Sequence, residues 1–196
     1  VTRHTASLDT DYFEGMFRGT EDPWDLESSG YEREKYAHTL HALGTRSYAL
    51  GFEVGCARGV LTQRLAEHCR ALLAIDVSET ALSAARERCE KLNNVSFARM
   101  AFPGQAPLNG VFDLIILSEV VYYWDDGDIC RAAEWIDTHI AVGGDLLLVH
   151  WIGETDYPQS GDEAVAKMRD ALKAPIPVVA TERRDCYRLD LWRRAS

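Results

Sequence analysis

The reading turns on residues 48–59, Tyr48-Ala49-Leu50-Gly51-Phe52-Glu53-Val54-Gly55-Cys56-Ala57-Arg58-Gly59, followed by Val60-Leu61-Thr62-Gln63-Arg64-Leu65-Ala66-Glu67. An apolar run ends in an acid, turns at glycine and enters a stretch of helical character. That is strand, tight loop, helix. A second apolar run, Ala71-Leu72-Leu73-Ala74-Ile75, ends in Asp76. Gly55 and Gly59 let the backbone approach a ligand or take a positive φ, where a Cβ would clash. Asp76 falls at the carboxyl end of its strand, where a carboxylate can accept from both hydroxyls of a ribose. The expectation is a nucleoside site at the edge of an open parallel sheet.

The flanking sequence fits. Ser78 caps a helix through Lys91, and strands are expected at 95–98, 111–117 and 145–150, with helices at 127–141 and 162–173. Gly143-Gly144 reads as the turn into the fifth strand. Residues 175–179 and 187–192 read as two antiparallel strands about a polar turn, Glu182 to Asp185. Alternating strands and helices imply a parallel sheet with right-handed crossovers and helices on both faces. Before this core come a short helix at 9–17, a turn-rich loop with Trp24, and a helix from Gly30 to about Leu43 capped by Ser28 or Ser29. The domain expectation is an N-terminal helical cap or lid, 1–47, and a core, 48–196. Residues 1–8 are polar and read as mobile.

Composition narrows the partners. The 196 residues carry 21 basic and 31 acidic side chains, a net charge of −10, which argues against a nucleic-acid partner. Cys56, Cys69, Cys89, Cys130 and Cys186 form no C-x-x-C pair and read as reduced thiols of a cytoplasmic protein. No apolar run reaches the ~18 residues of a membrane span. The leading residues have no hydrophobic signal core, and Val1 in place of Met reads as a trimmed start. No metal site is expected.

A dinucleotide fingerprint needs G-x-G-x-x-G, and here those places hold Gly55, Ala57 and Val60. No G-K-[ST] occurs, so there is no P-loop. The form present, acid-x-Gly-x-x-x-Gly from Glu53 to Gly59, resembles the first motif of class I S-adenosylmethionine (SAM) methyltransferases, with Ala57 in place of the middle glycine as a departure of one methyl group. Asp76 matches that family's ribose acid, and Phe112 to Tyr123 its fourth strand and following loop. The resemblance implies a Rossmann-like α/β fold, a seven-stranded mostly parallel sheet with an antiparallel terminal hairpin. The opening Asp22-Pro23-Trp24-Asp25-Leu26-Glu27-Ser28-Ser29-Gly30-Tyr31-Glu32-Arg33-Glu34-Lys35-Tyr36, with Ser118 to Tyr123, resembles the nodulation protein S family. That family N-methylates the free amine at the non-reducing end of a deacetylated chitooligosaccharide, in making the lipochitooligosaccharide (Nod factor) signal.

The resemblance assigns SAM, with S-adenosylhomocysteine (SAH) as product, to Glu53, Gly55, Cys56, Ala57, Gly59, Asp76 and Val77. Glu53 faces the α-amino group, directly or through water, or is a solvated strand-end acid. Where the family often has an acid beside adenine, this chain has Met100, Ala101 and Phe102, so apolar packing and backbone take that role. Ser118, directly after the fourth strand, is also assigned to the cofactor. Trp24 is a lid or an ordinary packing residue, and Arg33 a partner of the SAM carboxylate or a solvated helix charge. Glu119 and His150 fall on the reactive edge of the sheet. Each can hold the amine or take its proton, or serve a structural role or a cofactor contact. The implied partner is an amino-sugar oligosaccharide. Open alternatives are a methyltransferase for another amine or hydroxyl, and a SAM-binding protein without catalysis.

Overall fold

In the computed structural model, which describes residues 2–195, the expected alternation resolves into seven strands and six helices among the described residues. The chain divides into two compact units, residues 9–100 and residues 2–8 with 101–195.

The first unit opens with α1 (Thr10–Gly19), capped by the Asp9 side chain, and α2 (Gly30–Leu43), capped by Ser29. Then follow β1 (Gly51–Val54), α3 (Val60–Leu65) with a 3-10 turn at Ala66–His68, β2 (Leu72–Asp76), α4 (Glu79–Arg88) and β3 (Val95–Arg99). The strands are parallel, β1 beside β2 beside β3, with Val54 opposite Ile75 and Asp76 opposite Arg99. β1 is buried along its whole length, as an apolar run covered on both faces must be. Ser78 caps α4 as expected, accepting from the Ala81 N–H. Helix α4 packs on β2 and β3, and α1 packs on α4.

The second unit holds β4 (Phe112–Ser118), a 3-10 turn (Val121–Tyr123), α5 (Asp126–His139), β5 (Ile140–Trp151), α6 (Gly161–Ala171), β6 (Val178–Arg183) and β7 (Tyr187–Arg193). Strands β4 and β5 are parallel, β7 runs antiparallel to β5, and β6 antiparallel to β7. Leu114 to Leu117 and Leu146 to Val149 are fully buried and make the core of this unit. The seven strands form the mostly parallel sheet of the Rossmann-like class.

Three expectations are corrected. Gly143-Gly144 is not a turn before a strand. It lies within β5, where the register against β4 jumps from Phe112–Ile140 to Leu114–Asp145. The Gly143 N–H donates to Arg194 O and the Arg194 N–H to Gly144 O, so distant backbone absorbs the glycines into the sheet. The first hairpin strand begins at Val178 rather than 175. Pro175 and Pro177 have no N–H and offer only carbonyls, to Ala195 and Arg193. The strand then runs through Glu182 and Arg183, trimming the turn. Residues 2–8 are also not a loose lead. The His4 N–H donates to Asp156 O and the Leu8 N–H to Tyr123 O. Ser7 Oγ donates to Asp128 and accepts from the Asp125 N–H, and Arg3 pairs with Glu163.

Candidate functional site

The loop after β1 alternates in hand. Gly55, Ala57 and Gly59 have φ of +74°, +47° and +76°. The N–H groups of Gly55 and Cys56 both donate to Ile75 O, at 2.8 and 3.0 Å, and the Ala57 N–H to Asp76 Oδ2 at 2.8 Å. The loop is thereby stitched to the end of β2. At Gly59 a Cβ would lie 3.0 Å from Ala85 Cβ and 3.1 Å from its Cα, so a side chain there would push α4 away. The departure at Ala57 is larger than one methyl group, because a left-handed alanine costs roughly 1–2 kcal/mol. Its hydrogen bond to Asp76 offsets part of that.

Asp76 is 7% exposed. Its Oδ1 accepts from the Ser78 N–H at 2.9 Å and its Oδ2 from Ala57. An ionised carboxylate has about four acceptor positions, so each oxygen keeps capacity for a hydroxyl. Burial pushes this carboxyl up, and the backbone N–H groups pull the other way. That arrangement fits a ribose with two adjacent hydroxyls. Glu53 is also buried and accepts from Thr62 Oγ1 at 2.6 Å. Burial pushes it from 4.5 to about 7, with the Asp76 charge adding to the rise. Cys56 is buried and its thiol pushed well up by burial, so it serves as packing, with Ala74, Leu82 and Phe97. Val77 O accepts from Arg99 Nε, and the Met100 N–H donates to Asp76 O at 3.0 Å.

Two side chains went unnoticed in the sequence. Glu14 of α1 accepts from Ser78 Oγ at 2.6 Å and Thr80 Oγ1 at 2.7 Å, and these bonds hold its carboxyl down at about 2. It clamps the start of α4, next to Asp76. Its position three residues before buried Phe17, on the inner face of α1, was the available signal. Arg58, inside the glycine loop, reaches Glu27 and Glu21. Between α1 and α2, Trp24 stands edge-on to Phe17 at 5.4 Å. Arg33 is exposed and donates to Ser28 O at 2.7 Å. Lys35 is buried, 2.8 Å from Glu32 and 5.1 Å from the Tyr31 ring centroid.

In the second unit β4 ends at Ser118 and Glu119 follows with φ +56°. Glu119 Oε2 accepts from Tyr122 Oη at 2.6 Å and from the Trp151 N–H at 2.8 Å. His150 is 0% exposed, and its Nε2 accepts from the Val121 N–H at 3.2 Å. That bond uses the Nε2 lone pair and places the ring proton on Nδ1. Tyr122 stacks on Tyr157 at 5.3 Å, with Tyr123 edge-on to both at 4.6 Å. Tyr157 comes from the loop 151–162, which with Tyr122-Tyr123 is the sequence's candidate wall of a saccharide groove. Burial and the Glu119 charge push the Tyr122 hydroxyl well up, so it stays protonated and donating. A carboxylate beside tyrosine faces suits a cation. The Ala101 N–H donates to Gln105 Oε1, and Phe102 packs against Trp124 and Trp135 at 5.6 and 5.2 Å.

Among the described residues no group of three or more His, Cys, Asp or Glu side chains is placed to hold a metal ion. No helix among them is long and apolar enough to cross a membrane.

A family model described as nodulation protein S matches residues 17–146. Nodulation protein S of Rhizobium tropici is 37% identical over 129 residues, 65% of this chain and 54% of that protein. The Sinorhizobium fredii protein is 34% identical over 114 residues, 58% of this chain and 52% of its own. The chain thus spans about half the length of the curated relatives it matches. A crystal structure of the N-methyltransferase NodS from Bradyrhizobium japonicum, in complex with S-adenosyl-L-homocysteine, superposes with a TM-score of 0.83 at 24% identity, covering 96% of this chain and 100% of that one.

Proposed function

The chain belongs to the nodulation protein S family, and from that premise we propose that it is a SAM-dependent N-methyltransferase acting in nodulation. Its acceptor is the free amine of the non-reducing-end glucosamine of a deacetylated chitooligosaccharide. The observation that carries the cofactor reading is Asp76, which grips the glycine loop through one oxygen and the start of α4 through the other. Each oxygen keeps room for a ribose hydroxyl.

Within residues 9–100, Asp76 and Val77 hold the ribose, and the Gly55-Cys56-Ala57-Arg58-Gly59 backbone cradles the amino-acid part of the cofactor. Glu53 takes its α-ammonium, Met100 flanks adenine, and Trp24 and Arg33 complete the site from the cap segment. Bound SAM supplies an electrophilic methyl group on its sulfonium. The chain's own task is to present an amine lone pair in line with the departing sulfur, and positioning supplies much of the lowering of the barrier.

In the second unit we assign that task to Glu119. Its Oε2 already accepts two hydrogen bonds, which makes it a weak base and a rigid holder. We assign it to binding the acceptor ammonium, with the proton leaving to water before transfer. His150 is a positioning residue, since its Nε2 fixes the turn that follows Glu119. Tyr157 and Trp151 offer aromatic faces to sugar rings.

The test is label transfer from methyl-labelled SAM to two chitooligosaccharides, one with a free terminal amine and one fully N-acetylated. Label should enter the first alone, as an N-methyl group. Equal labelling of both contradicts the acceptor assignment, and SAH binding without label transfer to any amine contradicts catalysis.

A further inference from the structure

We propose that Arg58, Glu27 and Arg88 form a clasp that fastens the cap segment between α1 and α2 to the glycine loop, and that this clasp sets cofactor affinity. Arg58 stands between two left-handed residues, Ala57 and Gly59. Its guanidinium reaches the cap segment with all three nitrogens. Nε donates to Glu27 Oε1 at 2.7 Å, Nη1 to Glu21 O at 2.9 Å and Nη2 to Glu21 Oε1 at 3.3 Å. The same Glu27 oxygen meets Arg88 Nη2 at 2.5 Å, and Arg88 Nε donates to Arg58 O at 3.0 Å, closing the triangle.

The Arg58 side chain is 15% exposed, so these bonds are shielded from water on the arginine side. The segment it grips is itself stiff. The Glu27 N–H donates to Asp22 Oδ2, the Asp25 N–H to Asp22 O and the Ser29 N–H to Asp25 O, with Trp24 at its centre. A loop with a left-handed alanine needs outside support to keep its shape. A loop ordered before the ligand arrives does not lose that freedom on binding. Arg58, Glu27 and Arg88 are therefore positioning residues, acting on the cofactor through the loop and the cap.

The inference rests on the cofactor reading above, and the experiment separates the two. SAH affinity is measured by calorimetry on the full chain and on Arg58→Met, Glu27→Gln, the double variant and Arg58→Lys, at low and high NaCl. Failure of the wild type to bind SAH overturns the cofactor reading. If the wild type binds, each single variant should lose about tenfold, as expected for a network of charge-assisted bonds. The double variant should lose no more than the weaker single. SAH is a zwitterion, so Arg58→Met serves as the reference for the effect of salt on the ligand's own charged ends. Wild-type affinity should fall more steeply with salt than that of Arg58→Met, because Glu27 is partly exposed and screened. Arg58→Lys keeps the charge without the fork and should fall between, with salt dependence retained. A KM for SAM that rises while kcat holds accompanies this result, with unfolding of the ligand-free variants unchanged. SAH affinities within twofold of wild type, or losses that add in the double variant, overturn the clasp.

Discussion

Replacing Glu53 with glutamine should flatten the dependence of stability on pH. In the folded chain burial keeps the Glu53 carboxyl neutral up to about pH 7, against an ordinary value of 4.5. Unfolded, it sits in water and ionises at the ordinary value. Between those two pH values the unfolded state has released a proton that the folded state keeps. The stability linked to Glu53 is thus fully present below pH 4.5 and is lost as pH rises through 7. At about 1.4 kcal/mol per pH unit, the interval from 4.5 to about 7 amounts to about 3 kcal/mol. Glutamine keeps an oxygen for the Thr62 hydroxyl and does not titrate. Urea unfolding of both proteins from pH 4.5 to 8.5 measures the effect. The wild type should lose about 3 kcal/mol more than the variant across that range. A constant offset from the buried amide cancels in this comparison. Parallel stability curves would show that Glu53 is ionised inside the fold and refute the reasoning.

Asp76→Asn places an amide N–H opposite one of two backbone donors and removes the ribose acceptor. SAH affinity should fall by at least about a hundredfold, as two charge-assisted hydrogen bonds at about 1.5–3 kcal/mol each imply; unchanged affinity in calorimetry sinks the assignment. Ala57→Gly removes the left-handed strain at φ +47° and should raise ligand-free stability by up to about 1 kcal/mol, or about 2–4 °C in Tm. A Tm that holds or falls means the loop is not strained there.

What the sequence disclosed follows the range of the interactions. Leu114 to Leu117 and, in β2, Leu72, Ala74 and Ile75 were legible because strands covered on both faces are apolar throughout. The caps at Ser29 and Ser78 were legible because their partners lie three residues away. Asp76 was legible as an acid closing an apolar run. The left-handed turn at Ala57 was not, because nothing about an alanine announces a positive φ. Glu14 and Arg58 were passed over for another reason. The partner of Glu14 at Ser78 is 64 residues away, and that of Arg58 at Glu27 is 31. The glycine pair at 143–144 misled because Arg194, far along the chain, completes its backbone bonds. At Glu119 the carboxylate was legible but not its grip, since the Trp151 N–H that fixes it comes from the far end of another strand.

The bonds made by residues 3–8 impose an order on assembly. Their partners lie between Tyr123 and Glu163, up to 160 residues away along the chain. A ribosome releases residues 9–100 before any of those partners has emerged from it. The leading residues therefore wait, unattached, while the stretch with the glycine loop and Asp76 is already outside the exit tunnel. Closing so long a loop adds little entropy over closing a shorter one, about 0.6 kcal/mol per doubling. The closure is late but not prohibitive. By the same ordering, the His4 and Leu8 amides should be among the first to exchange with solvent, and to do so together, since both depend on one docking event.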